Sequence, residues 1–252
     1  TGWDVSNVTN MAGMFRNAFR FNGDISTWDV RNVRDMNHMF DNSNFNGNLK
    51  RWNTKNVENM SYMFSSSNFN QDISKWNVSN VKYMCYMFSC IGLFNQDLSK
   101  WDVSNVEDMS MMFSGCESFN GDISGWNVSN AKDMSGMFAN CESFNKDISG
   151  WDVSNAITMS EMFFRCKKFN SDLSRWDVSE VTTMIQMFAG AESFNQDLSG
   201  WNVSKVTDMS NMFENAKSFN QDLSRWDVSK VEDWSMMFFE CPCPEEHQPK
   251  FK

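Results

Sequence analysis

Residues 101–125 read WDVSNVEDMSMMFSGCESFNGDISG, and Trp126 opens nearly the same string again. Trp stands at 3, 28, 52, 76, 101, 126, 151, 176, 201 and 226, so successive units are 25, 24, 24 and then 25 residues long. The unit is W-[D/N]-V-S-N-V-x-x-M-x-x-M-F-x-x-[A/C/S]-x-x-F-N-x-D-[L/I]-S-x, and only Trp234 lies outside the register. The two short units lose their residue between Phe40 and Phe45 and between Phe64 and Phe69, which marks a loop at that point. A period of this length belongs to solenoids, in which each unit buries its apolar face only against its neighbours.

Within the unit, Leu173-x-x-Trp176-x-Val178 alternates apolar and polar residues, which predicts a short strand with Trp and Val inward. Val106, Met109, Met112, Phe113 and Cys116 make one stripe at mostly three-residue spacing, which predicts a short helical or 3₁₀ segment. Asp108, Asp133, Asp208 and Asp233 stand where N-caps of that segment would lie. The expected fold is therefore a leucine-rich-repeat-like solenoid. About ten units, each a short parallel strand plus a short helical segment, occupy residues 1–240, with a C-terminal cap or tail at 241–252.

Stacking at ~4.8 Å turns equivalent residues into ladders. Trp, Val, Met and Phe ladders fill the interior. Asn recurs at 22, 46, 70, 95, 120, 145, 170, 195 and 220, which predicts a buried amide ladder bonded up and down the stack. The Asp row at 24, 72, 97, 122, 147, 172, 197 and 222 sits in a Phe-Asn-x-Asp turn and predicts local carboxylate–backbone bonds. The Asp or Asn after each Trp is expected to face outward from the sheet. Carboxylates on adjacent rungs, such as Asp152 and Asp177, raise calcium, but no glycine-turned loop gathers six oxygens.

The motif Phe-x-x-Cys-x-x-Phe followed by [L/I]-x-x-W-x-V, clear in residues 113–128 and 138–153, resembles the BspA-like, Treponema-type leucine-rich repeats. It is closer still to the Mycoplasma-type variant of BspA-like surface proteins. The resemblance spans about residues 1–240. It implies an extracellular or cell-surface protein that binds other proteins or cell surfaces. It implies no enzyme and supplies no functional residue.

Composition narrows the remaining classes. The net charge is −10, which disfavours sequence-independent binding to nucleic acid and docking on anionic lipid. No apolar run approaches the ~20 residues of a membrane-spanning helix. With His only at 38 and 247 there is no triad or zinc set, so neither catalytic residue, metal nor cofactor is expected. Cys116, Cys141, Cys166 and Cys241 share a position with Ala and Ser elsewhere, as small buried thiols would. Cys85 and Cys90 lie off that row, where a disulfide is open to them.

The repeat is broken on its surface where all three Tyr fall: Tyr62, Tyr83 and Tyr86. Met111 continues the row of Tyr62 and Tyr86. Gly13, His38, Gly136, Glu161, Gln186 and Asn211 fill that row elsewhere, and Ile91 and Leu93 add apolar bulk nearby. An aromatic–Met cluster of this kind is expected to contact a protein partner. Local repacking around the two short units is the alternative. The expected function is a non-enzymatic protein-interaction or adhesion module. The alternative is a structural subunit that packs into a larger assembly, through an N-terminal end expected to be uncapped.

Overall fold

A computed structural model describes residues 2–251; Thr1 and Lys252, the outermost positions of the expected solenoid and tail, lie outside it. Each Trp-to-Trp unit forms one coil, and the coils stack in register. We number them 1 to 10 from the Trp that opens each. Parallel bridges link Asn10, Asp35, Asn59, Tyr83, Asp108, Asp133, Thr158, Thr183, Asp208 and Asp233 in an unbroken row.

The coil is built from turns, and here the expected strand-plus-helix unit is corrected. Among the described residues the one helix is the 3₁₀ turn Glu245–His247, and the pairing between coils consists of isolated bridges. In coil 5, N–H groups close i→i−3 turns from Trp101 to Leu98, Val106 to Val103, Met112 to Met109, Ser114 to Met111, Cys116 to Phe113 and Phe119 to Cys116. A chain of such turns places every third residue inward, so it satisfies the same apolar spacing as a short helix.

Bonds between coils decide against the helix. The N–H groups of Met109, Met111, Phe113 and Gly115 donate to the carbonyls of Asp133, Ser135, Met137 and Ala139 at 2.7–3.0 Å. Alternate residues thus bond across the stack while those between close turns within the coil. Met111 (φ 54°) and Gly115 (φ 73°) are left-handed, which neither a helix nor a strand tolerates.

On the Trp side the coils are joined by side chains. Trp101 and Val103 are buried with Asp102 exposed, as the alternation predicts, but the link to the neighbouring coil is the indole. Trp126 Nε1 donates to Leu98 O at 3.0 Å, and the same bond recurs from Trp52 to Trp226. Asn105 and Asn130 Nδ2 donate to Ser79 O and Ser104 O at 2.7 and 2.6 Å.

The expected Asn row does bond along the stack. Asn120 N–H donates to Asn95 Oδ1, Asn145 to Asn120 and Asn170 to Asn145 at 2.9–3.1 Å. It is exposed or half-exposed rather than buried, because the side-chain oxygen reaches along the outside of the corner.

The interior is continuous. Phe113, Phe138 and Phe163 are fully buried, and Phe138 stacks on Phe144 at 4.1 Å within its coil and on Phe163 at 5.9 Å in the next. Cys116, Cys141 and Cys166 lie in this core and donate Sγ–H to Phe88, Phe113 and Phe138 carbonyls at 2.9–3.0 Å. Burial pushes all three thiols well above the ordinary cysteine value. All seven cysteines are free, Cys85 and Cys90 included.

Residues 241–251 lie against coils 9 and 10. Leu223 N–H donates to His247 O, His247 Nδ1 donates to Asn220 O, and Phe251 stacks on Trp234 at 4.8 Å. Cys243 and Pro249 are buried there.

Candidate partner surface and acidic rows

The row ten residues after each Trp occupies the third position of an i→i−3 turn, and it is left-handed in coil after coil: His38 (φ 53°), Tyr62 (58°), Tyr86 (55°), Met111 (54°) and Gly136 (58°). Left-handed backbone costs a residue with a side chain roughly 1–2 kcal/mol, which is why Gly and Asn appear in this row. Its orientation aims the side chain out of the coil, while the N–H bonds the next one: Tyr62 to Cys85 O and Tyr86 to Ser110 O at 2.8 and 2.9 Å.

Stacking therefore turns residues 24 or 25 apart into one strip. Tyr62 and Tyr86 rings lie 4.5 Å apart and 7° from parallel. His38 stacks on Tyr62 at 4.4 Å and 15°. Met111 follows on the next coil, with its side chain spread over Gly136, where an added Cβ would stand 2.2 Å from the Met111 sulfur. All four strip residues are half-buried. Gly13 and Gly136 bound the row on either side, so the strip has two defined ends.

Three of the four expected contact residues are thus brought together. Tyr83 is not: it belongs to the bridge row, between Asn59 and Asp108, and stands 45% exposed beside the strip. The residue that sequence reasoning passed over is His38. Its flat ring, in the same row and one coil before Tyr62, is the signal that points to it.

Acidic groups flank the strip. Asp41 Oδ2 accepts from His38 Nδ1 at 2.9 Å and pairs with Arg16 at 3.0 Å. Partial burial raises the hydroxyl pKa of Tyr62 and Tyr86, with nearby Cys85, Asp108 and other acids adding to it, so both phenols stay neutral at ordinary pH.

The Asp rows are occupied by turn bonding. Asp122 Oδ1 accepts from Ser124 N–H and Oγ–H at 3.0 and 2.7 Å, and Asp147 and Asp172 accept from the N–H two residues on. The row after Trp does the same: Asp152 Oδ1 takes Ser154 N–H and Oγ–H at 3.1 and 2.7 Å, so it forms turns rather than a sheet face. Asp108, Asp133, Asp208 and Asp233 accept from Ser110, Ser135, Ser210 and Ser235 N–H at 2.8–2.9 Å, and these are turn bonds where helix caps were expected. Among the described residues no three His, Cys, Asp or Glu side chains are grouped to hold a metal ion. None of the described helices is long and apolar enough to cross a membrane.

No curated protein matches the chain. A family described as "Mycoplasma protein of unknown function, DUF285" matches it in three overlapping stretches, residues 1–91, 65–174 and 132–250. These successive matches follow the tandem repeat of stacked coils and span nearly the whole sequence, and the chain is a repeat protein belonging to this Mycoplasma family.

Proposed function

We propose that the chain is a non-enzymatic protein-interaction or adhesion module of an extracellular or surface protein, of the BspA-like leucine-rich-repeat kind. The observation that carries this reading is the stack of His38, Tyr62 and Tyr86 rings, continued in the same row by Met111 on the fourth coil, all half-exposed. A pre-stacked aromatic surface loses little side-chain entropy on contact, and interface hot spots favour Tyr. With a net charge of −10, the partner surface is basic or neutral.

The test measures capture of the purified chain on immobilised basic and neutral extracellular proteins and on intact cells. Saturable binding is expected, weakened by salt and lost in a Tyr62→Ser, Tyr86→Ser double variant that melts like the parent protein. If the folded double variant binds as well as the parent, the strip is packing alone and the reading fails.

A further inference from the structure

The surface is notched where the repeat shortens. In 25-residue coils the corner closes a backbone turn, as Phe119 N–H does to Cys116 O. Coils 2 and 3 lack one residue there, and Ser43 and Ser67 Oγ accept the Phe45 and Phe69 N–H instead, at 3.3 and 3.2 Å. Coil 4 returns to full length, and its Ile91-Gly92-Leu93 stands as a wall with Leu93 77% exposed. The step leaves a concavity of about 610 Å³ lined by Asn46, Ser67, Asn68, Asn70, Leu93 and Glu117, among others. That size is ordinary for a small-molecule site.

Its polar groups are unspent. Of the residues equivalent to Leu93, Ser118, Ser143 and Ser193 donate N–H to the loop carbonyl of the preceding coil, while Lys168 and Ser218 make no such bond among the described residues. Leu93 N–H likewise has no acceptor among the described residues. Asn46 and Asn70 use Oδ1 within the stack, accepting from Asn70 N–H and Gln96 Nε2, while neither Nδ2 has a partner among the described residues. Asn68 donates Nδ2 to Asn44 Oδ1 at 3.0 Å, and its own Oδ1 accepts from no group among the described residues. Glu142, the equivalent of Glu117, pairs with Lys167; Glu117 pairs with no cation among the described residues.

Three donors and two acceptors thus border one concavity that has an apolar wall and no cation in its lining. Without a cation it is ill-suited to phosphate or carboxylate ligands. Hydroxyl groups both donate and accept, so a ligand rich in them satisfies donors and acceptors together, and its C–H face packs on Leu93. We propose that this notch is a binding site for a neutral saccharide. The site is separate from the aromatic strip and does not depend on it.

The test is an amide-resolved NMR titration of the whole chain with maltose, cellobiose, lactose and chitobiose, and with tetraglycine as a peptide probe. Expected is a saturable shift of the Leu93, Asn68 and Asn70 resonances with at least one sugar. A Leu93→Ser, Glu117→Ala variant, altered only at the surface, weakens that affinity by about tenfold or more. Insertion of one Ser after Asn68, which restores the 25-residue length and fills the notch, abolishes it. The Tyr62→Ser, Tyr86→Ser variant binds the sugar like the parent, so loss of the strip reading leaves this one standing. No saturable shift with any of these sugars, shifts with tetraglycine alone, or undiminished affinity in the Leu93→Ser, Glu117→Ala variant overturns the proposal.

Discussion

Ser67 occupies the position that coil 5 gives to Cys116 and coil 8 to Ala191, yet it is not interchangeable with them. In those longer coils the backbone closes its own turn, from Phe119 to Cys116 and from Phe194 to Ala191. In coil 3 the missing residue removes that acceptor, and Ser67 Oγ takes the N–H of fully buried Phe69. Ser67→Ala therefore strands a buried donor. We expect a loss of about 1–3 kcal/mol, read from denaturant unfolding, although alanine is native at the same position elsewhere. An unchanged midpoint would mean that the shortened corner satisfies Phe69 in some other way. The row of His38, Tyr62 and Tyr86 makes the complementary point: its left-handed backbone favours Gly or Asn, so three ring residues there run against local preference.

At the scale of the element, the repeating unit is a succession of turns whose stability comes from its neighbours. Among the described residues no coil has an internal ladder. Its N–H groups alternate between its own turns and the next coil's carbonyls, and its apolar residues meet partners above and below. Phe138 shows how much rests on this, since it contacts Phe144 in its own coil and Phe113 and Phe163 at 5.8 and 5.9 Å on either side. Phe138→Ala opens a cavity shared by three coils, and a loss of about 3–5 kcal/mol is expected. A thermal melt indistinguishable from the parent's would remove Phe138 from the core and with it the register of the whole stack. The ion pairs between coils, such as Lys132–Glu107 at 2.7 Å and Lys205–Glu180 at 2.6 Å, are exposed and contribute little individually.

At the scale of the whole molecule, a chain with 32 acidic residues depends on its carboxylates remaining charged. The Ser hydroxyl and N–H two residues on hold Asp122, Asp147 and Asp222 below the usual Asp value, and Lys50 together with Ser74 lowers Asp72 further. A folded value below the unfolded one stabilises the protein above the unfolded pKa, about 3.9, and that stabilisation disappears as pH falls through the depressed values. The melting temperature is therefore expected to hold from about pH 7 to pH 5 and to drop progressively below about pH 4. Circular-dichroism melts across that range provide the check. A flat profile down to about pH 2 would show that the Asp turns contribute no differential stability.

The spacing of Trp, Val, Met and Phe determined by itself the 24- and 25-residue coil, its boundaries, its buried rows and the strip of Tyr62, Tyr86 and Met111, because in a stack any residue one period away is a neighbour. The Phe-Asn-x-Asp row was legible as turn structure for a local reason: Asp122 bonds Ser124, two residues away. Which segment bonds between coils was not legible, since three-residue spacing fits a short helix and a chain of turns alike. The carbonyls of the adjacent coil made that choice by accepting alternate N–H groups from Met109 to Gly115, which forced left-handed backbone at Met111 and Gly115. The place of His38 in the ring stack was likewise decided only by tertiary structure, because it depends on what the neighbouring coil presents at the same height.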